Sequence, residues 1–227
     1  MSELLTPFSD PEAVRKYVEG PPKFVPGLAG LHRMTGILLA EHAPRDAHVL
    51  VVGAGGGMEM KAFADAYSGW TFTGVDPAPQ MLALASDIMG EHAPRARLIE
   101  GYIDAAPQDE PFDAATCMLV LHFLSTEDRL QTLREIKSRL KPGAPFIAAH
   151  SSFPQDESRV RWLGRYAAFA LGSGADTEKV ETMRSAIETH LNLLSPAEEE
   201  DLLRSAGFSG VEIFYTGFTF RGWVAYA

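Results

Sequence analysis

The chain has 227 residues, 46% of them hydrophobic, with a formal net charge of -10 at pH 7, so it can build one large domain with its own core. Its single cysteine, Cys117, excludes an internal disulfide and a cysteine-rich metal site, and no other metal-ligand spacing is present. The acidic balance disfavours a nucleic-acid partner, no apolar run approaches the ~18 residues that span a bilayer, and Met1 to Asp10 does not read as a signal peptide, which together predict a cytoplasmic protein.

Asp10-Pro11-Glu12 reads as a helix start, with an aspartate cap and proline at the first helical position; that helix stops near Gly20-Pro21-Pro22. Val25-Pro26-Gly27 opens a second helix, roughly residues 28–42, with apolar Leu28, Leu31, Met34 and Leu38 spaced by three and four. Strand one is expected over 47–52, a helix over 58–67, strand two over 70–75, a helix over 78–90, strand three over 97–100 and strand four over 114–121. A helix over 126–140 follows, capped by Ser125 with Asp128 as reciprocal partner, and then strand five over 145–150. This alternation predicts a parallel sheet with helices on both faces.

Residues 151–192 show no strand pattern and two helical ones, split by Gly172-Ser173-Gly174, and read as a helical insertion after strand five. Ser195-Pro196-Ala197-Glu198 starts a helix that Ala206-Gly207-Phe208 stops. The last two runs, 210–216 and 218–225, are joined through Gly217 with no room for a crossover, so they must be antiparallel neighbours. The expected organisation is one domain over 1–227: an N-terminal helical cap (1–45), a cofactor core (46–150), the insertion (151–192), and a last helix with a hairpin (193–227). The fold class is α/β, a Rossmann-like seven-stranded sheet with strand seven antiparallel.

The chemistry concentrates between His48 and Pro77. A buried strand, Val49-Leu50-Val51-Val52, turns through Gly53-Ala54-Gly55-Gly56-Gly57 into a helix, and Asp76 stands at the tip of the next strand. Glycines let backbone approach a nucleoside-containing cofactor, and a carboxylate accepts from ribose hydroxyls. A dinucleotide fingerprint, Gly-x-Gly-x-x-Gly, would need its third glycine at Met58; the observed spacing is Gly-x-Gly-x-Gly. With the reversed C-terminal hairpin, this favours S-adenosyl-L-methionine (SAM) over a nicotinamide cofactor.

Over residues 46–226 the chain resembles the class I SAM-dependent methyltransferases. The resemblance is carried by 49–57, by Gly74-Val75-Asp76-Pro77-Ala78-Pro79-Gln80-Met81-Leu82 and by Glu135-Ile136-Lys137-Ser138-Arg139-Leu140-Lys141-Pro142-Gly143-Ala144. Within that superfamily it is similar to the carboxy-SAM synthase group, also labelled tRNA uridine methyltransferases. The shared segments are Val25-Pro26-Gly27, Leu121-His122-Phe123-Leu124, Arg184-Ser185-Ala186-Ile187-Glu188 and the ending from Ala206 to Ala225. Two departures stand out. Val51 occupies the place of an acid that such sequences carry two residues before the first glycine, and Tyr102 the place of the acid after strand three. Another group or a water would then have to meet the methionine ammonium.

The resemblance implies cofactor contacts at Gly53, Ala54, Gly55, Gly57, Asp76, Pro77, Met81, Tyr102, Ile103, Met118 and Leu119. Strand-end position selects His122 and His150 as catalytic candidates, each otherwise a loop histidine. His32 and Arg33 on the second helix read first as surface, with Arg33 retained as a substrate contact. Arg184 is either a fork for a ligand carboxylate, as the resemblance implies, or a helix-surface arginine paired with Glu181 or Glu188. Three functions stay open: methyl transfer from SAM to a small molecule, conversion of SAM to carboxy-SAM, and SAM binding without catalysis. The hairpin, the insertion and the resemblance point to a homodimer.

Overall fold

The computed structural model describes residue 14 and residues 16–189 and 191–227. The helix start expected at Asp10-Pro11-Glu12 lies outside the described residues. Eight α-helices are described: α1 (Pro21–Phe24), α2 (Leu28–Ala40), α3 (Met58–Ala66), α4 (Pro79–Met89), α5 (Thr126–Ser138), α6 (Arg159–Gly172), α7 (Thr177–Thr189) and α8 (Pro196–Ser205). The strands are β1 (His48–Val52), β2 (Thr71–Asp76), β3 (Ala96–Glu100), β4 (Ala114–Met118), β5 (Pro145–Ser151), β6 (Ser209–Gly217) and β7 (Phe220–Tyr226). They form one sheet in the order β3-β2-β1-β4-β5-β7-β6. β1 to β5 are parallel, and β7 runs antiparallel to both β5 and β6. The expected seven-stranded sheet with its reversed last strand is therefore the observed one.

The pleat divides each central strand between two cores. Val49 and Val51 face one side, with Met60, Phe63 and Ala64 of α3 and Leu39 of α2. Leu50 and Val52 face the other, with Leu133 and Ile136 of α5 and Leu203 of α8. A third core joins Leu28 and Leu31 of α2, Leu163 and Tyr166 of α6, Ile187 of α7 and Phe220 of the hairpin. It clamps the N-terminal helices and the insertion over one end of the sheet. Tyr215 adds a polar tie there, donating its hydroxyl to the Pro26 carbonyl at 2.5 Å. Among the described residues no helix is long and apolar enough to cross a membrane.

A 3₁₀ turn over Tyr17–Glu19 stops at Gly20, and Pro21 and Pro22 begin the separate one-turn helix α1, where a missing N–H costs nothing. β4 stops at Met118 rather than at Leu121, because Leu119 takes a left-handed φ of 60° and turns the chain out of the sheet. The final turn is Phe218-Thr219, with Phe218 at φ 52°, so β7 begins at Phe220. Ser125 and Ser195 cap α5 and α8 as their sequences predict, the second with a full capping box through Glu198.

Candidate functional site

The C-terminal ends of β1 to β4 open on a cavity of about 180 Å³, at the crevice position expected of an open α/β sheet. Its floor is the glycine loop. Gly53 has φ 79°, and a Cβ there would collide with Val120 Cγ2. A Cβ on Gly55 would lie 2.7 Å from Asp76 Oδ2, so the loop can close on the acid only if residue 55 has no side chain. The Gly55 N–H donates to Asp76 Oδ2 at 2.9 Å, and the Ala78 N–H donates to Oδ1 at 2.9 Å. Burial raises the Asp76 pKa, and these two N–H donors oppose that shift. The carboxylate is thus held in one orientation with lone pairs left to accept from a ligand.

Of the residues expected to meet a cofactor, Gly53, Gly55, Asp76, Pro77, Met81, Tyr102, Ile103, Met118 and Leu119 all line this cavity. Tyr102 lies at its rim, 45% exposed. Ala54 and Gly57 do not line it. Ala54 is buried, and a Cβ on Gly74 of β2 would run into its methyl group; Gly57 packs against Ala85 of α4. Both serve the close approach of loop, strand and helix, which glycine spacing alone does not separate from ligand contact.

The catalytic candidates fall elsewhere. His150 is 1% exposed, and its Nε2 lies 2.9 Å from Glu199 Oε1. His122 is buried and accepts from the Ser151 N–H at 3.3 Å through Nδ1. Its pKa is well below the ordinary value, through burial first and then the nearby His150 and Arg129. Neither ring lines the cavity. They belong to a buried polar network beneath it in which Arg129 of α5 pairs with Glu199 of α8 and donates to the Asn192 carbonyl at 2.7 Å. Two loop histidines became core because α8, some 50 residues further along, folds back over β5 with an acid.

Arg33 is exposed on α2, whereas its neighbour His32 is buried and lines the cavity. Both are expected at the surface, with Arg33 the substrate contact, but α2 turns the 28, 32, 35 stripe inward, so residue 32 meets the cavity and residue 33 faces out. Burial pushes the His32 pKa down to about 4, which leaves a neutral imidazole with one donor and one acceptor nitrogen. Arg184 is on the outer face of α7, 3.0 Å from Glu181 and 2.7 Å from Glu188, and does not line the cavity. Replacing it by alanine should therefore leave both ligand affinity and Tm unchanged, as calorimetry and a melting curve would report; a tenfold loss of affinity would put a ligand against it.

Several wall residues carried no local signal. Tyr17, Leu28, His32, Met58, Phe123 and Thr132 reach the cavity from five separate elements. Glu59, in the first turn of α3, also lines it, and its carboxyl accepts from Thr116 Oγ1 at 2.7 Å. Among the described residues the lining contains no lysine or arginine. The walls are chiefly apolar, so the arrangement suits a ligand that carries its own positive charge together with an apolar or aromatic body.

Comparison with known proteins agrees with this geometry. Residues 49–143 match the family model described as a methyltransferase domain. A carboxy-S-adenosyl-L-methionine synthase of Chromohalobacter salexigens is 28% identical over 207 residues, covering 89% of this chain and 76% of that protein. Among solved structures, PigF with S-adenosylhomocysteine (SAH) superposes with a TM-score of 0.71 at 23% identity, over 98% of this chain and 61% of the other. Human N-acetylserotonin methyltransferase in complex with SAM gives 0.64 at 17% identity, over 98% and 58%. This chain thus spans about six-tenths of the length of those two structures.

Proposed function

We propose, on the premise that this chain has the class I SAM-dependent methyltransferase fold, that it transfers a methyl group from SAM to a small acceptor lodged under its N-terminal helices. The observation that carries this reading is the closure of the glycine loop on Asp76 at the floor of a mainly apolar cavity. The fit to SAM rests on the same feature: a Cβ at either Gly53 or Gly55 would fill the cradle.

SAM supplies an electrophilic methyl group on a sulfonium, so the protein's share is positioning. In this reading Asp76 accepts from the ribose hydroxyls, and the Gly53–Gly55 backbone lies under the ribose and methionyl arm. Pro77, Met81, Tyr102, Ile103, Met118 and Leu119 flank the adenosyl part. Tyr17, Leu28, His32 and Met58 wall the acceptor side, where neutral His32 can hold an acceptor hydroxyl or amine. A homodimer and a cytoplasmic location are parts of the same proposal; Ile213 and Phe218 on the outer hairpin, 43% and 40% exposed, support the first.

Carboxy-SAM synthesis is the second reading, favoured by the name of the sequence relative. A bound carboxy-SAM would bring an additional carboxylate, and the described cavity walls offer it no lysine or arginine. Denaturing the purified protein and weighing the released ligands decides between the two. SAM or SAH alone is expected; a carboxylated species would overturn the methyl-transfer reading. Absence of binding when SAH is titrated into near-millimolar excess would leave a fold without the activity.

A further inference from the structure

We infer that Glu59 is the anchor for the ammonium group of the SAM methionyl arm, an ionic contact delivered from helix α3 instead of from strand β1. The inference deepens the proposed function and rests on it. Val51 of β1 and Thr116 of β4 are register partners, so their side chains project from the same face of the sheet. Val51 is wholly buried among apolar side chains and offers no polar atom there. The Glu59 carboxyl comes in from α3 on that face, is held by the Thr116 hydroxyl at 2.7 Å, and lines the cavity beside Gly53 and Gly55. Among the described residues no lysine, arginine or histidine pairs with it. A carboxyl fixed by one hydroxyl, open to a cavity and lacking a counter-charge is complementary to a cation brought by the ligand.

Among the described residues, the groups facing Glu59 add no positive charge. Tyr17 lies over the glycine loop, and burial first, then Glu59 and Asp76, pushes its pKa up to about 12. Cys117 of β4 is likewise shifted up by burial and by Glu59. His32 on α2 is neutral at pH 7, and Asp76 lies across the same cavity. Burial pushes the Glu59 pKa up to about 8, against the opposing hydrogen bond from Thr116. Without ligand at pH 7 the carboxyl is therefore mostly protonated. An arriving ammonium stabilises the carboxylate and expels the proton to solvent, so SAH should bind more tightly as pH rises from 6 towards 8.

Two ligands separate an ionic contact from a structural one: SAH, which carries the amino-acid arm, and 5′-methylthioadenosine, which lacks it. Glu59→Gln keeps the shape of the protonated side chain. It should weaken SAH at least tenfold in calorimetry and change 5′-methylthioadenosine by less than twofold. For the wild type at pH 7, SAH titrations in phosphate and in Tris should differ in enthalpy by the equivalent of close to one released proton, and that difference should vanish in the variant. Equal weakening of both ligands, unchanged SAH affinity, or wild-type binding without proton release would each overturn the assignment. A wild type that binds neither ligand removes the methyltransferase reading itself, and is told apart from the other outcomes by that alone.

Discussion

Replacing Arg129 by alanine is expected to destabilise the protein by about 3–5 kcal/mol, because it strands a carboxylate in the core. The side chain is 0% exposed on α5 and Glu199, on α8, is 2% exposed. The same Glu199 oxygen lies 2.9 Å from His150 on β5, so one ion pair ties two helices and a central strand together. The other guanidinium arm donates to the Asn192 carbonyl at 2.7 Å, where the insertion leads into α8. Deleting the arginine leaves Glu199 desolvated and that carbonyl without its donor, each a substantial cost. At roughly 2–4 °C per kcal/mol for a chain of this size, Tm should fall by roughly 6–20 °C. Urea unfolding gives the free energy directly. Replacing the pair together, Arg129→Met with Glu199→Leu, should cost less than the single substitution, since neither charge is then left alone. A single variant within about 1 kcal/mol of wild type would show that the network contributes little.

That network also marks where sequence stops being sufficient. The parallel sheet, the glycine loop and the acid at the tip of β2 are local patterns: an apolar run, a glycine cluster and a helix within 30 residues. They identify their own neighbours, and nine of the eleven expected cofactor contacts line one cavity. Arg129 and Glu199 instead look like solvated charges on two amphipathic helices, and only the packing of α8 against α5 buries them against His150. The same holds for the N-terminal wall. His32 and Arg33 are adjacent, and which of them faces inward depends on the rotation of α2 over the sheet. Glu59 had a visible trait, an acid in the first turn after the glycine loop. Its relation to Thr116 is a hydrogen bond between α3 and β4, across 57 residues of sequence. Local periodicity describes faces; it does not say what meets them.

Asp76→Ala should lower SAH affinity by about 2–3 kcal/mol, roughly 30- to 150-fold, which is the range for losing hydrogen bonds to a charged acceptor. The carboxylate is fixed before any ligand arrives, by the Gly55 N–H at 2.9 Å and the Ala78 N–H at 2.9 Å, so the bonds it offers carry little ordering cost. Removing it also frees the glycine loop, because the Gly55 N–H loses its acceptor. Asp76→Asn separates the two effects. It retains one oxygen able to hold the loop but loses the charge, and should weaken SAH by about 1.5 kcal/mol, roughly tenfold. Because the ribose is common to both ligands, 5′-methylthioadenosine should weaken by the same factor as SAH in each Asp76 variant, whereas Glu59→Gln should affect SAH alone. A carboxylate at position 76 that held only the turn before Pro77 would give the opposite pattern: a lower Tm with both affinities intact. Calorimetry and melting curves on the same preparations therefore place Asp76 at the ribose and Glu59 at the amino-acid arm of one bound molecule, or deny one of them that place.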